Sequence, residues 1–260
     1  MKRKTIVIAL ILLIFSFVFT ACASVSGRYV GDEAEAAEHY ASGNTHYQKG
    51  NYDRAITATT EAIRLNPNYA EAYAQRAAAF YAKGNYDRAI ADATEAIRLN
   101  PNYANAYSSR GTAYYDKGDY DRAIADLTEL IRLDPNYDVY HARGFAYSYR
   151  GTAYFKKGDY DRAIADLTEF IRLVPNNHVA YNDRSNAYNG KGDYDRAIAD
   201  CTEAIRLNPN FANPYRHRAF AYMNKGNYAQ ARADVDRALQ INPDYQDAQT
   251  LSAELRQKGH

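Results

Sequence analysis

Apolar residues recur three and four positions apart along most of the chain, a spacing typical of amphipathic helices. In residues 70–82 this spacing places Tyr73, Ala77 and Phe80 on one helix face. A second apolar face follows in residues 86–99, made of Tyr86, Ala89, Ile90, Ala93, Ala96 and Ile97. Gly84 breaks the chain between the two segments, and Pro101 ends the second. The pattern predicts two antiparallel helices joined by a short turn.

This two-helix pattern recurs through the chain. A phrase of the form N/D-Y-D-R-A-I begins at Asn51, Asn85, Asp119, Asp159 and Asp193, with a weaker copy at Asn227. Proline recurs near the end of each copy, at Pro67, Pro101, Pro135, Pro175, Pro209 and Pro243. Successive copies lie 34 residues apart, except for 40 between the third and the fourth. A 34-residue period closed by proline is typical of helix-turn-helix solenoids, whose repeats must stack to bury their apolar faces.

The repeats resemble the tetratricopeptide repeat. The large–small–aromatic pattern of its first helix is matched by Tyr73, Ala77 and Phe80, and the small and proline positions of its second helix by Ala89, Ala93, Ala96 and Pro101. The resemblance covers about 36–245 and implies an all-α fold, a right-handed α-solenoid of six repeats: 36–69, 70–103, 104–137, 138–177, 178–211 and 212–245. Residues 246–260 are expected to form a capping helix and tail, because Ala248, Leu251 and Leu255 share one helix face.

The longer spacing before the fourth repeat has a simple origin in the sequence. The segment YHARGFA, residues 140–146, is followed by YSYRGTA, which repeats four of its seven positions. Seven residues are two helical turns, so the addition keeps the apolar face in register and predicts a first helix longer by roughly 10 Å. His141, Phe145 and Tyr149 are then offered to solvent or to a partner. If the duplication has no role, these three side chains are instead buried against the flanking repeats.

Arginine stands where the tetratricopeptide family has leucine, just before the small residue of the first helix. An aspartate lies sixteen residues after each of these arginines, and the first repeat lacks both, with Ser42 and Ala58 in their places. A charge beside a helix interface needs a partner. We therefore expect a pair bridging the two helices of a repeat: Arg76–Asp92, Arg110–Asp126, Arg150–Asp166, Arg184–Asp200 and Arg218–Asp234. The alternative is that both charges are solvated and share only a history of duplication.

The N-terminus differs from the repeats. Residues 2–4 are basic, an uncharged apolar run follows, and small residues end it, which is the layout of a secretory signal. Phe19-Thr20-Ala21-Cys22 resembles the lipobox of bacterial lipoproteins, which implies lipidation of Cys22, although phenylalanine replaces the usual leucine. Residues 1–22 are predicted to be this signal and 23–35 a tether. An ordinary cleavage site and a retained single-pass anchor stay open as alternatives.

Composition and candidate chemistry give little support to an enzyme. The formal charge is +1 and no basic stripe is present, so nucleic acid is not expected as a partner. No metal-binding, phosphate-binding or catalytic motif occurs, and we predict no cofactor. His39 and His46 take aromatic positions of the first repeat, where packing is a better interpretation than metal binding. Cys201 lies on an apolar face and is expected to be a small buried residue rather than a nucleophile.

The resemblance also implies that the first helices line an inner, concave face that binds a segment of another protein. Carried over position by position, this face includes Tyr40, Asn44, Tyr47, Tyr81, Tyr115, Phe155, Asn182, Asn186, Arg216, Phe220 and Met223. Its aromatic rings either form a binding stripe for a peptide or pack against the next repeat, and both readings stay open. The clamp for acidic tails known in this family is not expected, because the lysine and arginine that would accompany Asn44 are missing from the second repeat.

The sequence therefore predicts a non-enzymatic scaffold for protein–protein interaction. We expect it to be exported to a bacterial cell envelope and membrane-tethered, facing the periplasm or the exterior. One alternative is a glycan- or peptidoglycan-binding protein that uses the tyrosine and asparagine side chains of the inner face. Another is a structural spacer without a ligand.

Overall fold

The computed structural model describes residues 32–133 and 142–257, and every regular element in these ranges is an α-helix. The predicted all-α helical repeat fold is confirmed. The helices are α1 (32–48), α2 (Tyr52–Leu65), α3 (Ala70–Ala82), α4 (Tyr86–Leu99), α5 (Ala104–Asp116), α6 (Tyr120–Leu133), α7 (Ala142–Lys156), α8 (Tyr160–Leu173), α9 (His178–Lys191), α10 (Tyr194–Leu207), α11 (Ala212–Asn224), α12 (Tyr228–Ile241) and α13 (Gln246–Gln257).

The chain forms two compact units, Met1–Ser109 and Arg110–His260. The first contains α1 to α4 and the start of α5. The second contains the rest of α5 and all later helices. In both units, odd-numbered helices up to α11 are the first helices of their repeats and even-numbered helices are the second. None of the helices in the described ranges has the length and apolar character needed to cross a membrane. The predicted signal, with Cys22, lies outside the described residues.

Each turn between the two helices of a repeat is built from a glycine and a capping residue. The six turn glycines have φ between 73° and 83°, a left-handed conformation that glycine adopts without steric cost. The next residue caps the second helix in several repeats. Asp159 Oδ1 accepts from the Arg162 backbone N–H at 3.1 Å, and Asp193 Oδ1 accepts from that of Arg196 at 3.2 Å. The recurring G-D/N-Y-D phrase is therefore explained by turn and cap chemistry.

Within a repeat, small residues on the first helix let the second helix approach closely. A Cβ added to Gly151 on α7 would lie 3.0 Å from Cγ of Leu167, and one added to Gly111 on α5 would lie 3.2 Å from Cγ of Leu127. Both leucines are fully buried. In these repeats the space left by glycine is filled by a leucine of the second helix.

Helix α13 covers the end of the last repeat. Leu251 and Leu255 of α13 join Met223 of α11 and Val235 of α12 in one buried cluster, and Leu255 is fully buried. The predicted capping helix is thus present. Its apolar side closes the surface that a further repeat would otherwise cover.

Helix α7 begins earlier than the other first helices of the second compact unit. It starts eight residues before Arg150, whereas α9 and α11 start six residues before Arg184 and Arg218. The difference of two residues is about 3 Å of helix, in the predicted direction. Tyr140 and His141 lie outside the described residues, so the remainder of the predicted extension stays a prediction.

Candidate functional site

In the second to sixth repeats, the recurring arginine and aspartate form a bidentate ion pair between the two helices of the repeat. In the fifth repeat, Arg184 donates from Nε to Asp200 Oδ2 at 2.8 Å and from Nη2 to Oδ1 at 2.8 Å. The structure brings all five predicted pairs together in this geometry, with Nε–Oδ2 distances of 2.7 or 2.8 Å: Arg76–Asp92, Arg110–Asp126, Arg150–Asp166, Arg184–Asp200 and Arg218–Asp234. The arginine side chains are only 15 to 18% exposed, so these are interface contacts rather than solvated charges.

The same arginine also links neighbouring repeats, a contact that the sequence analysis missed. Arg184 Nη1 donates to Thr168 Oγ1 on the second helix of the preceding repeat at 3.1 Å. Equivalent bonds of 3.0 Å join Arg76 to Thr60, Arg150 to Thr128 and Arg218 to Thr202. A signal was available, since threonine recurs two residues after the paired aspartate. The arginines therefore serve the architecture and do not form a reactive site.

Lysine–aspartate pairs near the turns are a second contact missed from sequence. Each joins the lysine just before a turn glycine to an aspartate at the start of the preceding repeat's second helix. The pairs are Lys83–Asp53, Lys157–Asp121, Lys191–Asp161 and Lys225–Asp195. Their aspartates are largely exposed, so each pair contributes little, at most about 1 kcal/mol.

In the first compact unit, the first helices form a groove of about 270 Å³. Its lining carries no charged side chain and consists of Tyr40, Asn44, Tyr47, Ala74, Gln75, Ala78, Tyr103, Asn105, Ser108 and Ser109. Burial raises the pKa of Tyr103 to about 12, so its hydroxyl is a neutral donor and acceptor at physiological pH. Three predicted residues, Tyr40, Asn44 and Tyr47, therefore share one uncharged aromatic–amide groove.

The row of rings predicted on the first helices is partly occupied by internal packing. Four of its members contact the tyrosine that begins the second helix of the same repeat, with ring centroids 5.5 to 5.8 Å apart: Tyr47–Tyr52, Tyr81–Tyr86, Tyr115–Tyr120 and Phe155–Tyr160. All four first-helix rings are half-buried. They pack within their own repeat on one side and keep part of their surface accessible, so the two readings from sequence are not exclusive.

In the second compact unit, aromatic side chains continue along the first helices. The Tyr149 ring lies 5.2 Å from that of Tyr115 and 4.3 Å from that of Phe145, measured between centroids. Phe145 on α7 is 37% exposed, and Val179 at the same register on α9 is 39% exposed. The aromatic series of α5 and α7 thus ends in an exposed apolar side chain. Of the three residues predicted to face solvent or a partner on the lengthened helix, Phe145 is exposed, Tyr149 is half-buried and His141 is not described.

A carboxylate lies on this same side. Asp183 of α9 accepts a hydrogen bond from Nδ2 of Asn182 at 3.1 Å. Burial raises the pKa of Asp183 to about 6, and the nearby Asn182 amide offsets this only in part. The charge of Asp183 in turn contributes to the raised pKa of Tyr115, after the larger effect of burial. Asp183 carries no signal in the sequence, because a single acid on a polar helix forms no pattern.

The other predicted residues of α9 and α11 are placed unevenly. Asn182 is only 4% exposed, and Asn186 is half-buried. Arg216 Nη2 lies 3.8 Å from Oδ2 of Asp247 on α13. Phe220 is half-buried beside Tyr194, with ring centroids 6.4 Å apart. The prediction for Met223 is wrong. This side chain is buried against Leu251 and Leu255, because the capping helix covers it.

The histidines and the cysteine of the described ranges have separate surroundings. No group of three or more His, Cys, Asp or Glu side chains there is placed to hold a metal ion. His217 is buried, and burial lowers its pKa to about 3, so its imidazole stays neutral. His39 lies 3.9 Å from Glu35, one turn before it on α1. Cys201 is fully buried, and burial raises the pKa of its thiol to about 12, as expected for a core residue rather than a nucleophile.

Comparison with protein families gives a consistent result. Family profiles described as tetratricopeptide repeat match residues 40–104, 75–138 and 150–210, and a second profile of the same description matches residues 185–256. Together they cover most of the described chain. A comparison with curated protein sequences finds no significant match.

Solved structures with similar folds are numerous. One is YrrB, described as a TPR protein with an unusual peptide-binding site, with a TM-score of 0.65, 24% identity, and coverage of 74% of this chain and 96% of YrrB. PilF from Pseudomonas aeruginosa has a TM-score of 0.71 and 17% identity, covering 86% of this chain and 99% of that one. MamA from Desulfovibrio magneticus RS-1 has a TM-score of 0.62 and 21% identity, covering 68% and 96%. At these identities the similarity shows the fold alone.

Proposed function

This chain belongs to the tetratricopeptide repeat family, and on that premise we propose that it is a non-enzymatic scaffold binding a segment of another protein on its first helices. The proposal rests on the position of the large apolar side chains that stay exposed in the folded chain. In the described ranges, the exposed large apolar side chains are Phe145 and Val179, and both lie on first helices of adjacent repeats. Exposed apolar surface beside half-buried aromatic rings is typical of protein-binding sites. YrrB, a TPR protein with a peptide-binding site and a similar fold, supports the same function.

Site-specific photocrosslinking tests this proposal. A photoreactive amino acid at Val179 is expected to capture a partner protein in the native membrane fraction. The matched control carries the same amino acid at Glu203 on α10, a second helix of the same compact unit. Capture from Val179 but not from Glu203 supports binding on the first helices. Equal capture from both positions, or none from Val179, contradicts it.

We further propose that the scaffold is exported and tethered to a bacterial envelope membrane through a lipid on Cys22. Three features support this: the basic residues 2–4, the apolar run that follows, and the lipobox-like Phe19-Thr20-Ala21-Cys22. Intact-mass measurement of the protein from membranes is the test. A diacylglyceryl group on an N-terminal Cys22 is expected, and a Cys22→Ser variant should lose it. An uncleaved N-terminus, or a mature chain that begins just after Ala23 with an unmodified residue, would contradict lipidation.

A second candidate function has one observation in its favour. The groove of the first compact unit is uncharged and combines tyrosine rings with asparagine, glutamine and serine side chains, a combination that suits sugars as well as peptides. Retention of purified peptidoglycan strands by the full chain, lost on Tyr40→Ala and kept in Asp161→Asn, would favour envelope glycan binding. Retention that does not depend on Tyr40 would exclude this groove as the site.

A further inference from the structure

Asp183 differs from the other buried or half-buried aspartates of the second compact unit. Asp126, Asp166, Asp200 and Asp234 each accept a bidentate pair of hydrogen bonds from an arginine. Asp183 instead accepts one bond, from the neutral amide of Asn182. No ion pair reaches it from the residues that the structure describes. Its charge is therefore removed from water without compensation from a cation.

An uncompensated carboxylate is unfavourable in the folded chain. The cost is visible in the raised pKa of Asp183, which burial causes. Groups that reduce stability without structural benefit often mark a binding position, because optimising a site for a ligand opposes optimising the fold. Asn182 adds to this picture, since its Oδ1 is buried and has no hydrogen-bond partner. The polar groups at this point of α9 are thus incompletely satisfied by the chain itself.

The surroundings of Asp183 favour a cation with an apolar neighbour. Asp183 lies one turn after Val179 on α9, so the two side chains share a helix face. Its charge also contributes to the raised pKa of Tyr115 on α5, and the Tyr149 ring of α7 packs on that of Tyr115. Tyrosine faces attract ammonium and guanidinium groups. Phe145 continues the aromatic series to the surface, where it and Val179 are exposed at the same register of α7 and α9. The carboxylate of Asp183 and the exposed side chains of Phe145 and Val179 therefore lie on the neighbouring first helices α7 and α9.

The corresponding position in the other repeats is not acidic. The residue just before the paired arginine is Gln75, Ser109, Tyr149 or His217, and the imidazole of His217 stays neutral. The guanidinium next to Asp183 in the chain, that of Arg184, is directed to Asp200 and Thr168. Asp183 is therefore the single acid at this position of the repeats, which gives a bound segment a fixed register.

We propose that this surface selects a partner segment with a lysine or arginine close to a large apolar residue. The basic side chain pairs with Asp183 beside the ring of Tyr115, and the apolar side chain covers Phe145 and Val179. The inference rests on the proposed function, protein binding by the first helices, and adds the chemistry of the partner. Charge complementarity to Asp183 is what identifies a basic segment rather than an acidic one.

Selection from a random peptide library tests the proposal. The full chain, purified in detergent, is the bait in three forms: the native chain, Asp183→Asn and Asp161→Asn. Both substitutions remove one negative charge, but Asp161 lies at the exposed start of α8 and pairs with Lys191. Peptides recovered from each bait are sequenced, and affinities of representative peptides are measured by fluorescence polarisation. Thermal melts of all three forms check that they are folded.

The native chain and Asp161→Asn are expected to enrich peptides with lysine or arginine within a few residues of an aromatic or aliphatic side chain. Asp183→Asn should lose the basic preference and bind such peptides about tenfold more weakly, while keeping the apolar preference. A Phe145→Ser variant should lose the apolar preference and keep the basic preference. Enrichment of acidic or uncharged peptides, or an unchanged basic preference in Asp183→Asn, overturns the inference but leaves protein binding intact. Failure to enrich any peptide on any bait contradicts the proposed function itself.

Discussion

Arg150 Nη1 donates to Thr128 Oγ1 at 3.0 Å although 22 residues separate them in the chain. In other repeats the equivalent arginine and threonine are 16 residues apart. The junction between the third and fourth repeats thus has the same contact as the others, despite the longer spacing. The additional residues are accommodated before Arg150, and Arg150 rather than Arg143 is the arginine in register.

Deleting residues 140–146 is therefore expected to leave the repeats intact. The contacts of Arg150 with Asp166 and Thr128 do not depend on this segment, because both partners lie outside it. Circular dichroism should show a helical chain with one cooperative thermal transition, shifted by only a few degrees. Affinity for peptides selected on the native chain should fall, since Phe145 is removed. Loss of the cooperative transition would show that the segment is needed for folding.

The arginine–aspartate pairs predict a strong non-additive effect on stability. Asp200→Ala leaves the Arg184 guanidinium largely buried without its partner and should lower the free energy of unfolding by about 2–4 kcal/mol. Arg184→Leu should be similarly costly, because it leaves Asp200 unpaired. The double variant removes both charges and should cost clearly less than the sum of the two single changes.

Denaturant titrations of the four chains measure this coupling. As a control, Asp161→Ala breaks an exposed pair with Lys191 and should cost less than about 1 kcal/mol. Additive single and double changes would mean that the pair contributes little to holding the two helices together.

Asp183 predicts an unusual dependence of stability on pH. Its pKa is about 6 in the folded chain and about 3.9 when unfolded. Folding therefore favours the protonated form, and the stability that this form provides is fully present below about pH 4 and is lost as pH rises through 6. Asp183→Asn should raise the melting temperature at pH 7.5 and change it little at pH 4. The gain at pH 7.5 is at most about 3 kcal/mol, and less with solvent screening.

A thermal melt of the native chain and Asp183→Asn at both pH values checks this prediction. The Asp161→Asn chain controls for the change in net charge. A lower melting temperature for Asp183→Asn at pH 7.5 would contradict the conclusion that the carboxylate is uncompensated.

Cys201 offers a probe of local opening. Its thiol is fully buried between the helices of the fifth repeat, and burial raises its pKa to about 12. In a folded Cys22→Ser chain at pH 8, a thiol-specific chromogenic reagent should modify less than one thiol per chain within minutes. After denaturation it should modify one thiol per chain. Rapid reaction of the folded chain would mean that the fifth repeat opens readily.

The helices and their partners within a repeat could be predicted from sequence because the determinants are local and repeated. Gly192, the capping Asp193 and the apolar period of α10 lie within one short segment, and each is found again in other repeats. The pair Arg184–Asp200 was found in the same way, since arginine and aspartate are present or absent together. The bond from Arg184 to Thr168 was missed, because it joins side chains of two different repeats, although threonine recurs in the first five repeats and is replaced by Asp236 in the last.

The sequence by itself determined the repeat, its helices, the capping helix and the ion pairs, because a period of 34 residues shows each of these local choices several times. Only the tertiary structure decided which first-helix positions stay accessible. Met223 and Phe155 occupy equivalent positions, but α13 buries Met223 and leaves Phe155 half-buried. Asp183 became notable only in the folded chain, where it is half-buried and accepts a hydrogen bond from the neutral amide of Asn182 instead of an arginine. The exposure of a side chain and the presence of an ion-pair partner depend on residues far apart in the chain. A pattern that repeats within each 34-residue unit therefore does not predict them.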